Sequence, residues 1–216
     1  MVTTGRRART RTDLHVVATF AQVVDLVERG ELRAVGVDMP IGLPDDGARS
    51  CDVDARRRLG PRRSSIFPTP ARDVLAHADD YQAALRCSNA VTGKGLSKQA
   101  FHLLPKIAEV DAAMTTARQH HIFECHPESC FVSLAGHPLS TTKRTDAGIA
   151  ERADLLRPHF PDVDGLVGQR CRGTKPDDIV DAMAVAWAAR RWSRGTATVI
   201  GDGATDRRGE TGCWPA

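Results

Sequence analysis

The chain has 216 residues, 41% hydrophobic and 26% charged, with 30 Lys and Arg against 27 Asp and Glu for a formal charge of +3. A chain of this size and balance buries a sizeable core, which excludes intrinsic disorder, and so small a charge excess names no polyanionic partner by itself. No apolar run approaches the roughly 20 residues of a membrane span, so no membrane association is expected. Six cysteines occur without a CxxC pair, and no hydrophobic leader precedes them, which reads as reduced thiols and a cytoplasmic protein.

Residues 1–12, with GRRARTR inside them, read as a loose basic arm. LHVVATF (Leu14 to Phe20) reads as a strand rich in β-branched residues, and FAQVVDLVERG as a helix that stops at Gly30. LRAVGVDM, apolar almost throughout, reads as a strand covered on both faces. Strand, helix and strand then predict a βαβ unit with a parallel pair. The region from Pro40 to Pro70 is turn-rich with one short helix, CDVDARRRLG, an insertion longer than ordinary connections. ARDVLAHADDYQAALRCSN is expected to be helical, and SKQAFHLLPKIAEVDAAMTTA to be one helix bent at Pro105 or two short ones. HHIFECHP reads as a buried strand, ESCFVSLAG as a helical turn, IAERADLLRPHF as a helix, and KPDDIVDAMAVAWAARRWSRG as the clearest helix of all; TATVIG closes as a late strand. One α/β domain over 1–216, with helical and loop insertions, fits this order.

The acids fall at informative places. Asp38 ends one strand and Glu124 lies near the end of another, and the carboxyl ends of parallel strands are where open sheets build sites. Pro40, Gly42 and Pro44 stiffen the turn behind Asp38. At the last long helix, Asp177 and Asp178 suit a first turn, but Asp181 shares their face and repels them, an arrangement that a cation rewards. Asp38, Glu124, Asp178 and Asp181 are therefore the candidate catalytic residues and an oxygen cage for Mg²⁺ or Mn²⁺, with Glu128 as the alternative to Glu124. Two such ions about 4 Å apart activate water and stabilise a leaving oxygen in phosphodiester hydrolysis. Glu124, His126 and Glu128 alternate and would share one strand face for zinc, although Pro127 interrupts that strand. Arg56, in the arginine run to Arg63, and Lys98, Lys143 and Arg144 are candidate phosphate contacts. No nucleophile elbow, complete P-loop, dinucleotide glycine triplet or HExxH motif is present.

Taken together, VGVDMPIGLP, CDVDARRRLG, SSIFPTPAR, GKGLSKQ, FECHPE, TKRTDAGIAER and DDIVDAMAVAWAA resemble, in order, the DUF429 family of predicted nucleases with a ribonuclease-H-like fold. The resemblance implies a three-layer α/β domain with a central mixed sheet, and a metal-dependent active site at Asp38, Glu124 or Glu128, and the Asp178/Asp181 pair. It also implies DNA or RNA as substrate. Such domains begin with a hairpin whose first strand supplies an acid. Nothing of that kind precedes LHVVATF, so an N-terminally truncated sheet is expected, with an apolar edge that a homodimer would hide. The function expected is a divalent-metal-dependent nuclease, inactive if the missing strand is essential. The alternatives are a non-catalytic nucleic-acid-binding or structural protein that keeps the fold, and an enzyme acting on a small phosphorylated molecule in a pocket under the 40–70 loop.

Overall fold

The computed structural model describes residues 2–4, 12–169, 171–212 and 214–215. Most of the expected basic arm (5–11) and Cys213 lie outside the described residues. Among the described residues no disulfide is formed, and no helix is long and apolar enough to cross a membrane.

The centre is a short parallel pair. Strand β3 (Val35–Val37) runs beside β4 (Ile122–Glu124) with Val35 opposite Ile122, Gly36 opposite Phe123 and Val37 opposite Glu124. Side chains alternate across a strand, so this register fixes two faces. Val35, Val37, Met39 and Ile122 pack toward α1 (Phe20–Glu28) and α4 (Lys98–Ala113), where Phe20, Val23, Val110 and Met114 are buried. Phe123 and Cys125 turn the other way, into the largest core, which is shared with α5 (Pro127–Ala135), α6 (Asp146–Leu156), α7 (Val163–Val167) and α8 (Pro176–Trp192). Gly36 is on this second face. A Cβ there would sit 2.5 Å from Val185 Cγ1, so glycine lets α8 lie directly on β3. Gly36→Ala should cost about 1–3 kcal/mol in urea unfolding, because the branched Val185 has few rotamers with which to move away.

Several expectations need correction. The expected βαβ unit does not form. Strand β2 is only Thr12–Leu14 and pairs antiparallel with β1 (Val2–Thr4), Leu14 opposite Val2, so a short N-terminal pair stands where a loose arm was expected. The chain leaves that strand before α1, and Val16 is 62% exposed, so His15–Thr19 lacks the burial that its β-branched composition suggested. The partner of β3 is instead β4, some 85 residues downstream. The sheet is also not one mixed layer: among the described residues it is three separate two-stranded pieces, the third joining β5 (Val199–Ile200) to β6 (Trp214–Pro215). Pro105 lies inside a single helix α4. Between α2 (Ser50–Leu59) and α4, the segment read as one helix breaks into a 3-10 turn at Arg72–His77 and α3 (Tyr81–Thr92), because Asp80 caps the new start through Gln82 and Ala83 N–H.

The stiff turn behind Asp38 has a structural reason. Ile41 N–H donates to Glu124 Oε2 at 2.9 Å and Leu43 N–H to Asp206 Oδ2 at 3.1 Å. Gly42 sits at φ 73° with the C-terminal segment so close that a Cβ would meet Gly212 N at 2.7 Å. The turn is thus pinned from both sides, and it fixes the chain just beyond Asp38.

Candidate functional site

Parity on β3 sends Asp38 to the same face as Gly36, toward α8. At the start of α8, Pro176 takes the first helical position and Asp178 Oδ2 accepts the Lys175 N–H at 2.8 Å. Capping therefore accounts for Asp178, which is exposed, while Asp181 one turn further in is 8% exposed and needs another explanation. Asp38, Asp178 and Asp181 all line the end of one cleft of about 360 Å³ that runs along β3 and α8.

Asp38 is exposed at the cleft mouth, yet the surrounding protein desolvates its carboxyl and raises it above its ordinary value, with His126 and Lys143 pulling it back. Burial pushes Asp181 up to about 6; Lys143 opposes this, and the charges of Asp38 and Glu128 add to it. Lys143 Nζ donates to Asp181 Oδ2, while Asp181 Oδ1 is buried without a hydrogen-bond partner. For Lys143, burial acts against the charge but Asp181, Asp38 and Glu128 outweigh it, and the ammonium is held above its usual range. A buried carboxyl raised in the fold binds its proton more tightly there than in the unfolded chain. Its contribution is present below the unfolded value of 3.8 and lost as pH rises through about 6. Between pH 4 and 6 the stability of the wild type should fall relative to Asp181→Asn by up to about 1.4 kcal/mol per pH unit, which unfolding titrations at several pH values will measure.

Glu124 does not join this group. The register that pairs it with Val37 turns it to the opposite face from Asp38. There Arg49 grips both its oxygens, Nη1 to Oε2 at 2.6 Å and Nη2 to Oε1 at 2.8 Å, and also holds Asp52 and the Ile41 carbonyl. Burial works against the Arg49 charge, but Glu124 and Asp52 overcome it and raise its pKa well above normal. Glu128 is nearer the expected role. It is on the first turn of α5, not on a strand, so the alternating zinc face of Glu124, His126 and Glu128 is not formed. Its Oε1 accepts from the fully buried Arg152 at 2.6 Å, and its charge is felt at Asp181. Among the described residues no group of three or more His, Cys, Asp or Glu is placed to hold a metal ion, so the four-acid cage does not assemble as such.

The basic candidates divide. Arg56 Nη1 bonds the Ile66 carbonyl at 2.5 Å and Arg58 the Ser133 hydroxyl at 2.7 Å, both holding loops. Arg62 bonds the Thr141 carbonyl, which draws the arginine-rich turn at Gly60–Ser65 against the loop that carries Lys143 and the exposed Arg144. His126, beside Asp38, has Nε2 3.4 Å from the Ser65 carbonyl of that same turn. Arg63 is exposed on that same turn, whereas Lys98 stands exposed at the start of α4, apart from these contacts. Under the 40–70 loop the recess lined by Asp38, Ile66, Thr69, Glu124 and His126 is only about 30 Å³, far below the roughly 300–1,000 Å³ of ligand clefts, which counts against a small phosphorylated substrate there.

Sequence reasoning missed Arg49, Asp52 and Arg152. Each is in a segment singled out for other reasons, but nothing in local spacing marks a buried arginine. A family model described as "Protein of unknown function (DUF429)" matches residues 1–206. No curated protein and no solved structure matches the chain.

Proposed function

The chain belongs to the DUF429 family, and from its site we propose that it hydrolyses phosphodiester bonds in a nucleic acid with Mg²⁺ or Mn²⁺. The observation that carries this reading is the placement of solvent-facing Asp38 and buried Asp181, with its unpartnered Oδ1, at the end of one cleft beyond the parallel strands. Two carboxylates fit the ion, because Mg²⁺ retains waters and is commonly held by one or two carboxylates together with substrate phosphate oxygens. When bound, the ion would activate water and offset charge on the phosphate. Asp38 and Asp181 would hold it, with Glu128 near enough to add negative field but kept in place by Arg152. Lys143 favours the ionised form of Asp181 against its burial and would supply a positive charge next to the phosphate position. Arg63 and Arg144 would follow the backbone of a polyanion. The layering of β3 and β4 between α1/α4 and α5/α6/α8 supports the finer ribonuclease-H-like reading.

The test is incubation of single-stranded DNA, duplex DNA, RNA and an RNA–DNA hybrid with the protein in Mg²⁺, Mn²⁺ or EDTA. Cleavage that appears with metal and stops with chelator supports the proposal; no cleavage of any of them under either metal sinks it. The lack of a three-residue ligand group among the described residues favours a second reading, a non-catalytic nucleic-acid-binding protein. That reading expects binding that weakens with salt and ignores EDTA, without cleavage.

A further inference from the structure

We propose that the outer edge of β3 is a receptor for an extended peptide: a short strand with apolar side chains on both faces and a lysine or arginine at the end that reaches Asp38. The inference does not depend on the hydrolase reading. It starts from the backbone. Val35 N–H donates to the His121 carbonyl at 2.7 Å and the Val37 carbonyl accepts from Cys125 N–H at 2.8 Å, so these residues face β4. In a parallel ladder the intervening residues point the other way, so Gly36 and Asp38 direct N–H and C=O outward. Among the described residues no strand pairs with that side, and the Gly36 and Asp38 backbones make no hydrogen bond there. Such an edge is a template for another strand, and its polar groups are costly if they stay buried and unpaired.

The 360 Å³ cleft opens along this same edge and falls within the range of ligand clefts, roughly 300–1,000 Å³. One wall is Phe20 and Val23 of α1, on one face of the sheet. The other is Ala182, Val185 and Ala186 of α8, on the opposite face. A strand laid against β3 would send alternate side chains into two apolar walls, so it must be apolar on both faces, unlike a surface strand. At the Asp38 end the lining changes to Asp38, Asp178 and Asp181, three carboxylates beside which Lys143 bonds Asp181. Charge complementarity therefore places a cation on the incoming segment. A second copy of β3 is a poor occupant, because that strand is itself recessed between its own α1 and α8. Backbone pairing with side-chain pockets on either hand is the logic of strand addition.

The test uses two terminally blocked, fluorescein-labelled peptides, Thr-Val-Ile-Val-Lys and Lys-Val-Ile-Val-Thr, which cover both strand directions, in EDTA so that metal binding plays no part. Fluorescence anisotropy is expected to show saturable binding of at least one, with Kd on the order of 10–100 µM. Replacing its lysine by glutamate, or methylating alternate backbone nitrogens, should weaken binding more than 10-fold. Ala182→Leu and, independently, Val17→Trp at the cleft mouth should block it while circular dichroism and the unfolding midpoint confirm the fold. Absence of saturable binding by both peptides, or binding indifferent to N-methylation, overturns the proposal. So does a concentration-dependent dimer in sedimentation that Ala182→Leu abolishes, since the edge would then serve self-association.

Discussion

Arg49→Ala is expected to lower the unfolding free energy by about 3–5 kcal/mol or more, measured by urea denaturation at neutral pH. Arg49 is 7% exposed on its side chain and answers two carboxylates of similar burial, Glu124 and Asp52. Deleting it leaves both in a site that water does not reach, and an uncompensated buried charge is the costly outcome, whatever the pair was worth when intact. The loss is a large part of the 5–15 kcal/mol typical of a domain. Glu124→Gln in the same background should recover part of it, because one of the stranded charges is then gone. Arg49→Lys should not, since an ammonium cannot make the two parallel bonds to Glu124. A cost below about 1 kcal/mol for Arg49→Ala would show that the cluster does not hold the loop to the strand.

The second large effect separates the two strand-end acids. Asp38→Asn should reduce metal-dependent cleavage by at least about 10²-fold, since loss of even the outer partners of metal ligands costs 10–100-fold. Its unfolding midpoint should stay near wild type, because Asp38 is exposed. Glu124→Gln should do the reverse. It removes a charge that Arg49 needs and so destabilises, yet below its unfolding temperature it should cleave within a few-fold of wild type. If Glu124→Gln abolished cleavage in a folded protein while Asp38→Asn did not, the assignment of the two acids would have to be exchanged. The two residues leave opposite faces of adjacent strands but both border the small recess beside Ile66 and His126, so metal affinity is to be measured together with cleavage for each variant.

These two variants also mark the boundary of what could be read from the chain. Local pattern located Asp38 at a strand end, placed a stiff turn after it, and identified α8 from its proline start, its acids and its run of small apolar residues. Those features depend on alternation, helical period and capping, which are properties of neighbouring residues. The same kind of reasoning put Glu124 at the end of a strand but carried no information on which face it takes, because the face is set by register with a partner some 85 residues away. It likewise assigned Val16 to a strand on β-branched composition, where burial and pairing with β1 decided otherwise.

What the chain determined alone was therefore the list of chemical groups and the elements that carry them. Only the tertiary structure decided which acids meet: Asp38 with Asp181 across the β3–α8 contact that Gly36 permits, and Glu124 with Arg49 behind the sheet. It also left one edge of β3 without a neighbour among the described residues. The physical reason is the same in each case. Coulombic partners and strand neighbours act over a few ångströms in space, and their separation along the sequence, from Asp38 to Asp181 or Arg49 to Glu124, carries no trace of that distance.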